Sequence, residues 1–183
     1  MLRRLSFIVR FLRDRRGVSA IEFALVAPLL ICAYLGMAEL TLGMLAARHT
    51  SHLAATIGDL ASQSDNLTDA NVSDLWAIGG SMLQPFSTTG LRMRVTEVMM
   101  TTTSPIQAVV VWSEQSNWTA YTKNTPITAI TTSQLAQGQY LIMTEVQYDY
   151  SSPIGNFLPG VTHFSDTFYH QPRNGLKVLR NGA

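Results

Sequence analysis

The N-terminal region contains the stretch that decides the architecture of this chain, RRGVSAIEFALVAPLLICAYLGMAEL, at residues 15–40. It has no charged residue from Phe23 to Ala38, and the apolar character resumes after Glu39 and continues to Ala47. As a helix with a rise of about 1.5 Å per residue, residues 21–45 would extend roughly 37 Å, which exceeds the hydrocarbon core of a bilayer at about 30 Å. The stretch therefore predicts one transmembrane helix.

The charges on the two sides of this stretch differ strongly. Residues 1–17 contain one acid, Asp14, and six of the 13 basic residues of the chain: Arg3, Arg4, Arg10, Arg13, Arg15 and Arg16. Positive residues remain on the cytoplasmic side of a membrane helix, so we expect a cytoplasmic N-terminus and an extracytoplasmic location after about residue 47. From Val18 onward acids outnumber basic residues, and the sequence offers no basic face for a nucleic acid.

Two other interpretations of the apolar stretch remain open. One is a buried helix of a soluble protein, and the other is a cleaved secretory signal in which Ala33, Gly36 and Ala38 supply the small residues of the cleavage site. The apolar run continues through Leu45, which is longer than a usual signal core. Together with the lopsided charges, this length favours a membrane span over both alternatives.

The cytoplasmic edge of the span carries a more specific pattern. Gly17 follows paired arginines, and Glu22 lies five positions later, directly before Phe23. A glycine lets an extended backbone approach a protease without an obstructing side chain, and cleavage after Gly17 would leave the α-amino group of Val18 about one helical turn from Glu22. An ionisable group at mid-bilayer costs about 2.5–3.5 kcal/mol, so such groups are usually paired and functional. Glu22 is therefore either a paired, functional group or an acid that caps the helix at the interface, where the helix dipole favours a negative charge.

This pattern resembles the processing site of type IV pilin precursors. Over roughly residues 15–60, the chain resembles the TadE-like family, whose members are pseudopilins or minor pilins of the tight-adherence (Tad) pilus. The resemblance implies that a prepilin peptidase cuts between Gly17 and Val18. It also implies that Glu22, followed by Phe23, meets the N-terminal amine of a neighbouring subunit. The implied partners are the peptidase, other Tad pilins and assembly proteins of the bacterial inner membrane.

Two features distinguish this chain from the major Tad pilins. Those pilins usually have tyrosine after the glutamate and are very short, whereas Glu22 precedes Phe23 and more than 130 residues follow the span. These differences favour a minor pilin or accessory subunit. We divide the chain into a basic cytoplasmic leader (1–17), a transmembrane helix (18–47) and an extracytoplasmic α+β domain (48–183).

The outer domain begins with helical patterns. Leu53, Ile57, Leu60 and Ala61 continue an apolar stripe of helical period, which predicts that the first helix extends beyond the membrane in the manner of a pilin. A second helix is predicted from a cap at Thr68 or Asp69 to about Leu83, before Pro85.

The remainder of the domain is predicted to be mainly β-structure. The alternation of Leu91, Met93 and Val95 predicts a half-buried strand, and further strands are predicted at 106–112, 140–150 and 161–170. A polar loop at 117–132, a short helix at 133–136 and a loose basic tail at 173–183 complete the prediction. The expected fold class is α+β: a transmembrane helix that extends into a long pilin-like helix, followed by a small antiparallel-sheet domain.

The sequence contains no motif that indicates catalysis. It lacks a nucleophile motif, a glycine-rich phosphate loop and a zinc-protease signature, so we expect no enzymatic activity and no cofactor. His49 and His52 are three residues apart on a predicted helix, but no third ligand has a suitable spacing, and we expect no metal site. The leading hypothesis is a pilus assembly subunit. The alternative is an uncleaved single-pass anchor that displays a binding domain, and a membrane-tethered enzyme is the least favoured class.

Overall fold

The computed structural model describes residues 17–152 and 162–181. The elements, in chain order, are α1 (Val18–Gln63), β1 (Asn66–Leu67), α2 (Asp69–Met82), β2 (Leu91–Met100), β3 (Ala108–Ser116), β4 (Tyr140–Tyr150), β5 (Thr162–His170) and β6 (Leu179–Arg180). By their contacts the residues divide into two units, 1–41 and 42–183. The predicted α+β class, a long apolar first helix followed by a small antiparallel sheet, is confirmed.

Helix α1 is a single element of 46 residues that continues through Pro28. A proline inside a helix removes one backbone hydrogen bond, and the neighbouring turns here retain helical structure. The predicted apolar stripe is confirmed in the second unit, where Leu53, Ile57 and Ala61 are fully buried. Gly58, five residues before the end of the helix, lies close to the sheet. A Cβ atom at Gly58 would lie 2.5 Å from His170 Nδ1 and 2.7 Å from Thr144 Oγ1.

The predicted cap of the second helix is also confirmed. The Oγ1 atom of Thr68 accepts a hydrogen bond from the Asn71 N–H at 3.3 Å, and the Asn71 Oδ1 atom accepts one from the Thr68 N–H at 3.1 Å. This reciprocal capping box satisfies two backbone donors that a helix start otherwise leaves unpaired. Helix α2 ends at Met82, and Val72 and Leu75 turn into the core.

The main sheet is antiparallel with the strand order β3-β2-β4-β5. Strand β2 pairs with both β3 and β4, and Glu97 lies opposite Trp112 on one side and Ile142 on the other. The register between β2 and β3 shifts after Glu97, because Val98 pairs with Val110 and Val111 is the extra residue of a bulge. The strand predicted at 106–112 lies at Ala108–Ser116 in the structure, whereas the strand predicted at 140–150 has the expected bounds.

Each face of the sheet belongs to its own hydrophobic core. The helix face, which packs on α1 and α2, includes Leu91, Met93, Val95, Trp112, Ile142, Val146, Tyr148 and Tyr150. The loop face, which packs on the loop between β3 and β4, includes Val98, Met100, Val110, Leu141 and Met143 together with Ile127, Ile130 and Leu135 of that loop. The prediction of a half-buried β2 is therefore wrong. Both faces of β2 are covered, and even Arg94 and Thr96 are buried.

Two further predictions are wrong. The short helix expected at 133–136 is a turn. The N–H groups of Gln134 and Leu135 both donate to the Thr131 carbonyl, and the chain then turns at Gly138, whose φ is +78°. The tail expected to be loose is packed over residues 173–181. Strand β6 pairs in parallel with β1, and Val178 is buried. We call residues 173–181 the C-terminal segment.

Candidate functional site

The part of α1 that belongs to the first unit presents apolar side chains to its surroundings on nearly all sides. The exposed large residues are Val18, Ile21, Phe23, Leu25, Val26, Leu29, Leu30, Ile31, Tyr34, Met37 and Leu40. The helix is long and apolar enough to cross a membrane, and no residue of its most apolar 18-residue window is buried. This exposure contradicts a buried helix of a soluble protein and fits a single-pass membrane anchor. The residues considered for a secretory cleavage site, Ala33, Gly36 and Ala38, lie inside the uninterrupted helix.

Gly17 and Val18 lie at the beginning of this helix. The Gly17 carbonyl accepts the Ile21 N–H at 3.1 Å, which closes the first turn. Both residues are exposed, and a Cβ atom at Gly17 would have no neighbour within 4 Å. The arginines of the predicted leader lie outside the described residues.

Glu22 is the fifth residue of α1, and the first turn contains no acid. The favourable effect of a helix dipole falls off within the first turn, so it acts only weakly on Glu22. Val18 and Glu22 are four residues apart and share one helix face. Within residues 17–152 and 162–181, Glu22 forms no hydrogen bond or ion pair, and its neighbour Phe23 is 73% exposed. The carboxylate is therefore accessible to a partner.

The two histidines of α1 have different surroundings. The His49 Nδ1 atom lies 2.8 Å from the Met82 carbonyl oxygen, and the His49 ring meets Phe86 edge-on. His52 is exposed. No group of three potential metal ligands occurs within the described part of the chain.

A cluster of side chains around Arg94, on the loop face of the sheet, contacts the loop that follows β3. The Arg94 guanidinium forms a two-pronged ion pair with Glu145, with both N···O distances at 2.8 Å, and donates to the Thr119 carbonyl. It also stacks between the rings of Trp118 and Tyr121, at 4.2 and 3.7 Å from their centroids. All of these contacts are internal, so the cluster stabilises the loop.

Glu97 is a fully buried acid that the sequence analysis did not identify. One of its oxygens, Oε1, accepts the Val178 N–H at 2.6 Å, and the other, Oε2, is buried without a hydrogen-bond partner in the described residues. Burial raises the pKa of Glu97 to about 7, although Val178, Trp112 and Lys177 oppose this effect. The sequence contained a signal for this burial. Side chains alternate between the two faces of a strand, and Glu97 falls on the same face of β2 as Met93 and Val95.

The C-terminal segment reaches Glu97 through several specific contacts. The Trp112 indole N–H donates to the Val178 carbonyl at 2.8 Å. The Arg180 guanidinium pairs with Glu114 of β3 at 2.8 Å and with Asp69 of α2 at 2.6 Å. The segment therefore connects a strand, a helix and the buried carboxylate.

Comparison with known proteins gives one match. Residues 17–58 match the family model described as TadE-like protein, and the match begins at Gly17 and ends within α1. No curated protein and no solved structure matches the chain. The resemblance seen in the sequence is thus confirmed, and over residues 17–58 the chain is similar to the TadE-like family.

Proposed function

We propose that this chain is a pseudopilin or minor pilin subunit that assembles into a Tad pilus or a related secretion machine. The observation that carries the proposal is the coincidence of the TadE-like match with an exposed apolar helix that begins at Val18. In this proposal the chain crosses the bacterial inner membrane once, with residues 1–17 in the cytoplasm and the domain 48–183 in the periplasm or the pilus. The role is structural and requires no catalytic group.

Processing by a prepilin peptidase is the first step of the proposed pathway. The accessible backbone at Gly17 and the open space around its Cα atom support cleavage between Gly17 and Val18. Cleavage would remove the six arginines of the leader and create a cationic amine at Val18. This change converts a chain that is anchored by its cytoplasmic charges into a subunit that can leave the membrane.

Pairing of Glu22 with the amine of a neighbouring subunit is the second step. Glu22 is exposed and lies beyond the first turn of α1. In a bilayer this carboxylate favours a cationic partner, since an unpaired charge at mid-depth costs about 2.5–3.5 kcal/mol. Phe23, which is 73% exposed, offers apolar contact area next to the pair.

The folded domain supports a minor or accessory position in the assembly. Its sheet is covered on both faces, and its C-terminal segment is fixed, so it is a complete body rather than a flexible extension. Other Tad pilins and inner-membrane assembly proteins are the proposed partners.

The decisive test of processing is the intact mass of the protein from cells with an active prepilin peptidase. We expect the mature chain to begin at Val18 and Gly17→Leu to retain the leader, because a large side chain obstructs the scissile backbone. Ala20→Leu is the matched control, since it places the same leucine side chain three residues beyond the cut. A wild-type chain that retains residues 1–17 would contradict the proposal and favour the uncleaved anchor.

The test of pairing is Glu22→Gln, which keeps the shape and removes the charge. We expect normal cleavage and membrane insertion but reduced copurification with partner pilins at equal protein abundance. Asp14→Asn removes an acid from the leader and should assemble normally. Normal assembly of Glu22→Gln at equal abundance would show that this carboxylate makes no essential contact between subunits.

Both the pilin hypothesis and the uncleaved-anchor hypothesis place the domain outside the cytoplasm, and membrane topology can be measured directly. Reporter fusions after Ser64 should be active only outside the cytoplasm. Activity confined to the cytoplasm would refute the proposed orientation, whether or not the leader is removed.

A further inference from the structure

A cavity of about 310 Å³ lies between β3, the loop that follows it and the C-terminal segment. The chain contains two lysines, Lys123 and Lys177, which are far apart in sequence, and both line this cavity. Glu97 also lines it, as do the aromatic side chains of Trp112 and Tyr121. The fold thus brings two cations and one buried acid to the same apolar-walled space.

Most polar groups around the cavity already have partners. Trp112 donates to the Val178 carbonyl, and the Tyr121 hydroxyl bonds with Arg94 and Glu145. Arg180, which also lines the cavity, is paired with Glu114 and Asp69 as described above.

Three groups can still form hydrogen bonds, although Lys177 lies near enough to Glu97 to lower the pKa of that carboxyl. The Glu97 Oε2 atom has no hydrogen-bond partner, and the Lys123 and Lys177 ammonium groups form no ion pair or hydrogen bond in the part of the chain that the structure describes. A fully buried carboxylate oxygen requires a donor when the group is ionised. Exposed lysines at the same cavity offer donors to an acid.

These charges restrict the class of ligand. A purely cationic ligand would meet two lysines, and a purely anionic ligand would lie against Glu97 without supplying the donor that its oxygen lacks. A metal ion would find a single carboxylate, because Glu114 is committed to Arg180. A molecule with a donor at one end and a carboxylate at the other satisfies all three groups.

We propose that this cavity binds a free amino acid or a similar small amphoteric molecule, with its ammonium group on Glu97 and its carboxylate at Lys123 and Lys177. Trp112 and Tyr121 would bound the space for the side chain of the ligand. The cavity volume lies at the lower end of the range for small-molecule sites, which fits a ligand of this size. This inference does not depend on processing after Gly17 or on pilus assembly.

Isothermal titration calorimetry of the full chain in detergent micelles tests the proposal. The probes are each of the standard amino acids, with acetate and ethylamine as ligands that carry only one of the two charged groups. We expect at least one amino acid to bind with a Kd of about 1 mM or lower, and acetate and ethylamine to bind about tenfold more weakly or not at all.

The variants identify the binding groups. Glu97→Gln and Lys123→Ala should each weaken binding about tenfold. The control is Arg173→Ala, which removes a cation of the C-terminal segment that does not line the cavity and should leave binding unchanged. Circular dichroism verifies folding, and if Glu97→Gln does not fold, the exposed Lys123→Ala variant decides. Absence of binding by every amino acid, or an amino acid that binds Lys123→Ala as tightly as wild type, would overturn the proposal.

Discussion

Replacement of Glu97 by glutamine should change how the stability of the domain depends on pH. In the folded protein, burial raises the pKa of Glu97 from 4.5 to about 7, so the folded state binds a proton that the unfolded state releases. The amide of glutamine has a similar shape and can still accept the Val178 N–H bond, but it does not titrate in this range. The variant therefore isolates the effect of this single proton.

The sign and the size follow from linkage. A raised pKa in the folded state means that the stabilising contribution is complete below pH 4.5 and is lost as the pH rises through about 7. The difference between the two pKa values corresponds to about 3 kcal/mol of unfolding free energy. Relative to Glu97→Gln, the wild type should therefore lose about 3 kcal/mol between pH 4.5 and pH 8.

Urea unfolding of both proteins in the same detergent, followed by near-ultraviolet circular dichroism at several pH values, measures this difference. Asp74→Asn is the matched control, because it removes an exposed acid of α2 and should keep a constant difference from wild type. A difference between wild type and Glu97→Gln that stays constant from pH 4.5 to pH 8 would refute the reasoning.

Three further predictions concern packing. Gly58→Ala should lower the unfolding free energy by about 1–3 kcal/mol, because the new Cβ atom collides with the sheet. Gly80→Ala, whose Cβ atom would have its nearest neighbour 3.7 Å away, should raise the unfolding free energy by about 0.5–1 kcal/mol. Urea unfolding of both variants measures the two changes. Arg94→Ala should cost about 3 kcal/mol and accelerate amide exchange in the loop 117–127, and unchanged exchange would contradict its role. Deletion of residues 173–181 should shift tryptophan emission to longer wavelength as Trp112 becomes exposed, with a loss of at least about 1.5–3 kcal/mol from Val178 burial alone; unchanged emission would contradict the packing.

The sequence predicted those elements whose signal is local. Strand β4 alternates over its full length, and both ends of α2 carry cap or breaker residues, so their bounds match the structure closely. The burial of Arg94 could not be predicted from β2 itself. Its alternation with Met93 and Val95 is the pattern of a one-sided strand, and the loop that covers its face comes 23 residues further along the chain.

The sequence analysis missed Glu97 for the same reason: its contacts come from residues far along the chain. Glu97 shows its inward direction by parity, but the backbone N–H that it accepts belongs to Val178, 81 positions later. The segment around Val178 is short and flanked by Lys177 and Arg180, a composition typical of a solvated tail. Nothing local indicates that Arg180 finds acids on both β3 and α2. At the N-terminus, by contrast, the family pattern from Gly17 to Phe23 lies within seven residues, which explains why the sequence alone pointed to it.

The contact between Glu97 and Val178 also limits how early the domain can complete its folding during synthesis. Synthesis runs at about 5–20 residues per second, so the 81 positions between donor and acceptor correspond to roughly 4–16 s. During that interval β3 and then β4 are synthesised and can pair with β2, yet the end of the helix face at Trp112 and Glu97 stays uncovered. The domain can therefore close at this end only after the C-terminal segment has been made, about 4 s or more after the synthesis of Glu97.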